Sequence, residues 1–448
     1  METEVIILGA GYAGLAAADT LAAAGRRVVV LEACERVGGR TRTEYYEDGL
    51  WLDLGGQWLG PGHDHMYALA RRLNHRVWPS YTQGRHIVHL AGRNRHFRGD
   101  TPPVGAAGLA NLAWGFARLA WLSRRVPLAH PWQAARARKL DRLTLGDWLR
   151  RNMRQRHARN ITQAALEAVF GAHPDDISLL HALFYIHSSK GIRNLTSSAG
   201  GAQQDRVEGG LQGLAQSWLA DLRQRDVNFV FDSPARAVEQ DAYGVRVHAE
   251  TDCWTAGHVI CTLPPAMTLD VDFRPALPEA RRAWCEGLPP GDMIKCFAVY
   301  DRPFWREQGL SGLAAGDQGP VHVAFDVTPP DREQGILLGF IEGREAQRWH
   351  AAGPADRRQA ALQSLARFFG EQALSPLRYV DHCWADERWA GGCAGVARPG
   401  ILTAAGDSAR TPHGRVHWAG TETAVQWNGY IEGAVRSGIR AADEVMRA

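Results

Sequence analysis

Short runs with no polar position punctuate this chain. Val5-Ile-Ile-Leu8 and Val28-Val-Val-Leu31 are apolar throughout. Runs so short and so rich in β-branched residues read as strands buried on both faces. The Ala/Leu-rich stretch between them, to Ala24, reads as a helix. From Tyr81 the pattern changes. Residues 87–90 and 95–98 read as a hairpin around Ala91-Gly92, and helical periodicity covers 109–122, 144–153, 159–169 and 178–186. Gly209-Gly210 leads into a helix to about 224, and strands are predicted at 228–231, 236–240 and 244–250. Gly257-His-Val-Ile-Cys-Thr262 returns to the opening texture. Residues 293–300, 322–326 and 336–341 read as strands of a second sheet, and 356–369 as a helix. Val416-His-Trp-Ala-Gly420 closes as strand and glycine turn before a helix from about 430 to 446.

The turn after the first strand carries the chemistry. Gly9-Ala-Gly11-Tyr-Ala13-Gly14 separates strand from helix, and the second strand ends on Glu32. Gly9 permits the tight turn, Gly11 lets a pyrophosphate reach the backbone, and Gly14 lets helix pack on strand. The pyrophosphate sits at the positive end of the helix, and Glu32 is placed to accept from a ribose hydroxyl. The motif alone leaves NAD and FAD open. The expected fold is α/β: a Rossmann-like dinucleotide domain from residues 1–80, 205–284 and 392–448. Residues 81–204 and 285–391 are expected to form a second, α+β, sheet-and-helix substrate domain.

Composition narrows the class. With 448 residues and a net charge of +3, the chain is long enough for two or three cores and implies no polyanion partner, so no nucleic acid is expected. Met1-Glu-Thr-Glu leads straight into the first strand, which reads as no secretory signal, and no uncharged stretch suits a transmembrane segment. Seven scattered cysteines without a CxxC pair predict neither disulfides nor a metal site and fit a cytoplasmic location. Residues 118–159 hold twelve basic and two acidic residues and read as a solvated helical face, with Trp114, Phe116 and Trp121 nearby as core packing. Arginine outnumbers lysine 48 to 3, so the choice of lysine at 295 singles that position out.

Two further glycine loops follow Glu32-Ala33: Arg36-Val-Gly-Gly39-Arg40-Thr and Asp53-Leu-Gly55-Gly56-Gln57-Trp58-Leu-Gly60. Downstream stand Gly291-Asp-Met-Ile-Lys295-Cys-Phe, Trp384 through Gly-Gly-Cys393, Ala419-Gly420-Thr421-Glu-Thr-Ala424 and Trp427-Asn-Gly429-Tyr430-Ile431. This collinear set resembles the flavin-dependent amine oxidases, and in particular the flavin monoamine oxidases. The resemblance makes the dinucleotide FAD, held by the three loops together with Ala235, Gly420, Thr421, Gly429 and Ile431. It implies a Lys295 ammonium bonded to a water beside flavin N5. It implies a thioether from Cys393 to the flavin, although a buried free cysteine and non-covalent FAD stay open. Tyr430 matches one of two tyrosines that flank the amine in the animal enzymes, while Ala394 stands where the other would be. Trp384 is a further candidate wall. Gln203 and Gln204 compete for the place of a glutamine lining the amine site. Cys34 replaces a usual arginine, which puts one adenosine contact in doubt.

The implied reaction passes hydride from a neutral amine to flavin N5; the imine is hydrolysed and oxygen is reduced to hydrogen peroxide. The partners are then a small amine, most simply a monoamine, and O2, with a homodimer as the assembly that the sequence leaves open. Oxidation of an L-amino acid, a polyamine or a cyclic amine stays open on the same scaffold. A non-catalytic flavoprotein module is the reading from another class.

Overall fold

The computed structural model describes residues 1–448. Its first layer is a five-stranded parallel sheet in the order Val416–Trp418, His258–Cys261, Val5–Leu8, Val28–Leu31, Asn228–Val230. Burial on both faces explains the unbroken apolar runs. Val5, Ile7, Val28, Val30 and Ile260 face a helical layer made by Tyr12–Ala23, Gly210–Arg223 and Ile431–Arg447. Ile6, Leu8, Val29, Leu31 and Val259 face the other way. They pack on a four-stranded sheet of Cys253–Ala256, Val245–His248, Ala237–Gln240 and Asp272–Arg274. The first and last of those strands were not legible in the sequence, because their alternating polar residues look like loop.

Helices Tyr12–Ala23 and Ile431–Arg447 pack closely. A Cβ on Gly438 would stand 2.1 Å from the Ala13 carbonyl oxygen, so only glycine permits the crossing.

The second sheet has seven strands: Arg378–Cys383, Met293–Tyr300, Gly335–Glu342, Val323–Asp326, Leu310–Gly316, Arg85–Leu90 and Arg93–Phe97. All neighbours run antiparallel except Leu310–Gly316 with Arg85–Leu90. The hairpin therefore extends this sheet. Alternate residues of Met293–Tyr300 serve different cores: Ile294, Cys296 and Ala298 face the helix Pro354–Phe369, whereas Phe297 and Val299 face Leu50, Leu52 and Leu54.

A separate, helical, core gathers residues from 119–195 with Trp284 and Cys285. Val396, Ala397, Leu402, Ala405 and Ala409 also belong to it. The segment just after residue 392 thus packs among helices before the chain rejoins the parallel sheet at Val416.

One expectation fails plainly. Trp114 and Trp121 are not core residues. They are 57% and 53% exposed on the helix Ala106–Ser123, with the guanidinium groups of Arg118 and Arg125 lying over their rings. Phe116, on another face, does pack against the helical core. No helix is long and apolar enough to cross a membrane.

Candidate active site

One continuous cavity of about 350 Å³ runs from the tip of the parallel sheet to the face of the seven-stranded sheet. At its near end Gly9 has φ +101° and hydrogen-bonds Leu31 O through its N–H at 2.8 Å. Gly11 is the N-cap of the following helix, and no side chain caps it, so the first-turn N–H groups face the cavity free. A Cβ on Gly39 would come within 3.1 Å of Gly11 Cα, so two glycine loops close over that helix end. Ala13 lines the cavity, but Gly14 does not. Gly14 lies under the turn, where a Cβ would sit 1.9 Å from Gly9 O, so it serves the close packing of helix on turn.

Glu32 accepts from Ala10 N at 2.6 Å and Cys34 N at 2.9 Å. Burial raises its carboxyl, against the pull of those two N–H groups. Each carboxylate oxygen keeps a lone pair for a further donor. Ala33, Cys34 and Ala235 line the same end.

Arg40 forms a two-pronged pair with Glu422, at 2.5 and 2.9 Å. Glu422 also accepts from Gly395 N at 3.1 Å. Burial works to raise this carboxyl, but Arg40 outweighs it and holds it below its ordinary value. Thus one loop of the first layer is fixed to the segment after Cys393. The Glu422 role has no sequence signal of its own, since the residue sits inside a motif read for its glycine.

Lys295 projects from the middle of Met293–Tyr300 and is 2% exposed. Its Nζ donates to Asp53 O, to Gly55 O at 2.9 Å and to Gln57 Oε1 at 2.6 Å. Three acceptors match the three donors of an ammonium. Burial pushes its pKa down to about 7; the Asp53 carboxylate opposes that shift and Arg206 adds to it. Gly55 is wedged in place, since a Cβ there would lie 2.4 Å from Arg40 O and 2.8 Å from the Trp384 ring. Trp384 is fully buried and donates from Nε1 to Leu54 O at 2.7 Å.

Cys393 lines the cavity, and its N–H bonds Gly291 O at 2.8 Å. The preceding Gly392 has φ +146° and no room for a Cβ, which would stand 2.5 Å from Gly291 O. Burial pushes the Cys393 thiol up to about 12, although Arg40 and Lys295 pull it back.

Beyond Lys295 the lining becomes aromatic. Tyr430 lies 5.8 Å, ring to ring, from Tyr185, which lies 4.7 Å from Phe170. Trp58 packs 5.9 Å from Phe340. Gly429, Gly56, Gly420, Thr421 and Ile431 complete this part, with Ala394 beside Cys393. Gln203 lines the cavity and donates to Leu195 O, whereas Gln204 turns out to Asp205. Tyr185, Phe170 and Phe340 escaped sequence reasoning. Tyr185 sits in Leu179–Ser188, where nearly every residue is buried, and such a helix gives no periodicity that marks one face as special.

These residues fit a flavin dinucleotide. Uncapped amides and two glycine loops suit a pyrophosphate, a buried acid suits the ribose, and an apolar slot with one lysine suits the ring.

Comparison with known proteins adds the following. The family described as flavin containing amine oxidoreductase matches residues 12–446. The protein AofH of Mycobacterium tuberculosis, named as a flavin-containing monoamine oxidase, is 40% identical over 446 residues, covering 99% of this chain and 96% of that one. The structure of putrescine oxidase bound to putrescine superposes with a TM-score of 0.95 at 29% identity, covering 100% of both chains. Cyclohexylamine oxidase from Brevibacterium oxydans superposes at 0.94 and 32% identity, covering 100% of this chain and 99% of that one.

Proposed function

Since this chain belongs to the flavin containing amine oxidoreductases, we propose that it oxidises an apolar monoamine with FAD and oxygen, releasing hydrogen peroxide. The observation that carries the substrate class is the charge census of the aromatic part of the cavity. Seven charged side chains line the cavity, and Lys295 is the one that lies over a ring of the set Trp58, Phe170, Tyr185, Phe340 and Tyr430, 5.7 Å from Phe340; Arg40 is paired with Glu422, Arg36 with Glu387, and Arg236 lies over Trp389. An amino acid would ask for a guanidinium there, and a diamine for a carboxylate. The likeness to cyclohexylamine oxidase supports the same choice, whereas the likeness to putrescine oxidase favours a diamine, so the charge census decides between them.

Bound flavin supplies the two-electron acceptor. The protein's part is position and environment. Apolar walls exclude water and disfavour the ammonium, so the amine binds neutral with its nitrogen lone pair available. Tyr430 and Tyr185 line one side and Ala394 leaves space beside them, which supports a broad or cyclic substituent. Lys295, pinned by three acceptors and protonated below about pH 7, then sets a compact positive charge where negative charge develops on oxygen. Gln203 and Trp384 orient the pocket's floor and side. Glu32, Ala235 and the loops at 9–14, 36–41 and 55–58 hold the cofactor. Covalent attachment through Cys393 is part of the proposal: the buried thiol would lose its proton and the flavin 8α carbon a hydrogen, and the two electrons set free would pass to oxygen.

The test is a peroxide-coupled screen of the purified yellow protein with benzylamine, cyclohexylamine, putrescine and L-leucine. The expected result is peroxide from the first two. Peroxide from L-leucine or putrescine alone overturns the substrate class. Acid precipitation of the same sample tests attachment: a yellow pellet is expected, and a yellow supernatant with a white pellet removes the thioether.

A further inference from the structure

A second concavity lies behind the wall of the main one. The helix Arg156–Phe170 and the strand Gly335–Glu342 are common to both: Phe170 and Phe340 line the first, Glu167 and Glu342 the second. The chemistry of the two is opposite. Only one of twelve residues lining the second is hydrophobic, so it is no extension of the apolar slot.

Glu342 is the anomaly there. It is 1% exposed, and neither carboxylate oxygen has a hydrogen-bond partner. It stands at the N-cap of the helix Gly343–Ala352 yet accepts nothing from that helix. Native proteins seldom leave a buried carboxylate unpaired. The groups around it do not supply a counter-charge. Burial first, and then repulsion from Glu167, hold the Glu342 carboxyl well above its ordinary value, so it waits for a cation to ionise it; Glu167 itself accepts from Gln163 Nε2 at 3.0 Å. His322 Nδ1 is 3.8 Å from Glu167 and has no partner of its own. His173 Nε2 lies 3.7 Å from Glu167. The two arginines at the rim are engaged elsewhere, Arg344 with Asp176 at 3.0 Å and Arg348 with Glu345 at 3.6 Å.

We propose that this acid pocket binds a protonated primary amine, as a cation site separate from the flavin cavity. The identity of the cation rests on the amine-oxidising reading above; the existence of the site does not. A divalent metal is the other candidate, and the spacing disfavours it. A metal needs several ligand atoms within about 4 Å of one another. His350, Cys383 and Asp386 come within 4.8 Å of each other elsewhere on the surface, whereas the carboxyl and imidazole atoms of this pocket form no such group. An ammonium donates three bonds of about 2.9 Å and suits acceptors spread nearly 5 Å apart. The physical use follows from the contrast. Alkyl amines are cations in neutral water, and the flavin cavity favours the uncharged form. A carboxylate pocket sharing two walls with that cavity concentrates the charged form beside it.

The probe is tert-butylammonium chloride, a primary amine with no α-C–H bond to oxidise. Calorimetric titration of the yellow holoenzyme at about pH 7 is run with wild type, Glu342→Gln and Glu167→Gln, while the flavin absorption is followed in parallel. The expected result is saturable binding by wild type with an unchanged flavin band, weakened about tenfold or more in Glu342→Gln. Should that variant fail to fold, Glu167→Gln carries the same expectation. Equal affinity in wild type and both variants overturns the proposal. So does binding reported entirely by the flavin band, which locates the probe in the main cavity. Zn2+ or Mn2+ alone binding in a Glu342-dependent way and excluding the probe makes it a metal site and also overturns it. If no amine yields peroxide while the probe still binds through Glu342, the functional reading falls and this one stands.

Discussion

Lys295 shows how much rests on single side chains here. Three acceptors surround its Nζ, so Lys295→Met leaves Asp53 O, Gly55 O and Gln57 unpaired as well as removing a charge. Amine-dependent oxygen uptake should fall about 100-fold, measured with an oxygen electrode at saturating amine. The pH dependence has a definite sign. The folded pKa of about 7 lies below the ordinary 10.5, so the unfolded chain binds more protons between those values, and stability rises with pH across that window. Lys295→Met should lose this rise in melting experiments from about pH 7 to 10. Ala394→Tyr tests the open side of the aromatic slot: KM for cyclohexylamine should rise about tenfold or more while smaller amines are spared. An unchanged ratio would show that residue 394 does not border the substrate. Legibility differs residue by residue. Tyr430 and Cys393 stand beside glycines whose spacing draws attention to them. Tyr185 reaches the same cavity from a helix buried on nearly every side and Phe170 from the last position of its helix, and nothing local distinguishes them from core.

Between elements, a few polar contacts and close crossings set the architecture. Glu387 ties the loop carrying Arg36 and Arg42 to the segment after Arg378–Cys383, with distances of 3.3 and 2.6 Å to the arginines and 3.1 Å to His382. The His382 contact, then Arg42 and Arg36, lower its pKa from 4.5 to about 2. That stabilisation is fully present above pH 4.5 and is lost as pH falls towards 2. Allowing for solvent screening of this half-buried group, its worth is about 1–2 kcal/mol. Glu387→Gln should therefore melt about 1–3 °C lower at pH 7, and the gap should narrow below pH 4.5. Gly438→Val tests the helix crossing. Its side chain meets Ala13 O, and a loss of about 3 kcal/mol or more with reduced flavin content is expected. Both contacts join residues hundreds of positions apart, which is why sequence periodicity found the helices and strands but neither crossing nor clamp. The same limit hid Leu310–Gly316 and Arg378–Cys383, strands whose mixed composition is settled by their partners in the sheet.

In the whole molecule, the cavity lies where the parallel and antiparallel sheets meet, and its lining comes from both. A cofactor filling it would bind the native state alone and join the layers, so flavin-stripped protein should melt several degrees lower than reconstituted protein and recover on adding FAD. The α/β class with a discontinuous second sheet was readable because strands buried on both faces keep their apolar runs. The division of the helical core was not, since residues 396–409 join it by packing alone.

The order of strands in the parallel sheet has a consequence for how the chain is made. Val5–Leu8 pairs with Val28–Leu31 early, but its other neighbour is His258–Cys261, and the sheet is closed by Val416–Trp418. At about 5–20 residues per second, the first strand leaves the ribosome roughly 12–50 s before that neighbour. Through that interval it offers an unpaired edge of bare amides and carbonyls, the kind of surface that chaperones shield. The glycine turn at residues 9–14 is thus among the first parts synthesised and among the last to have all its surroundings in place.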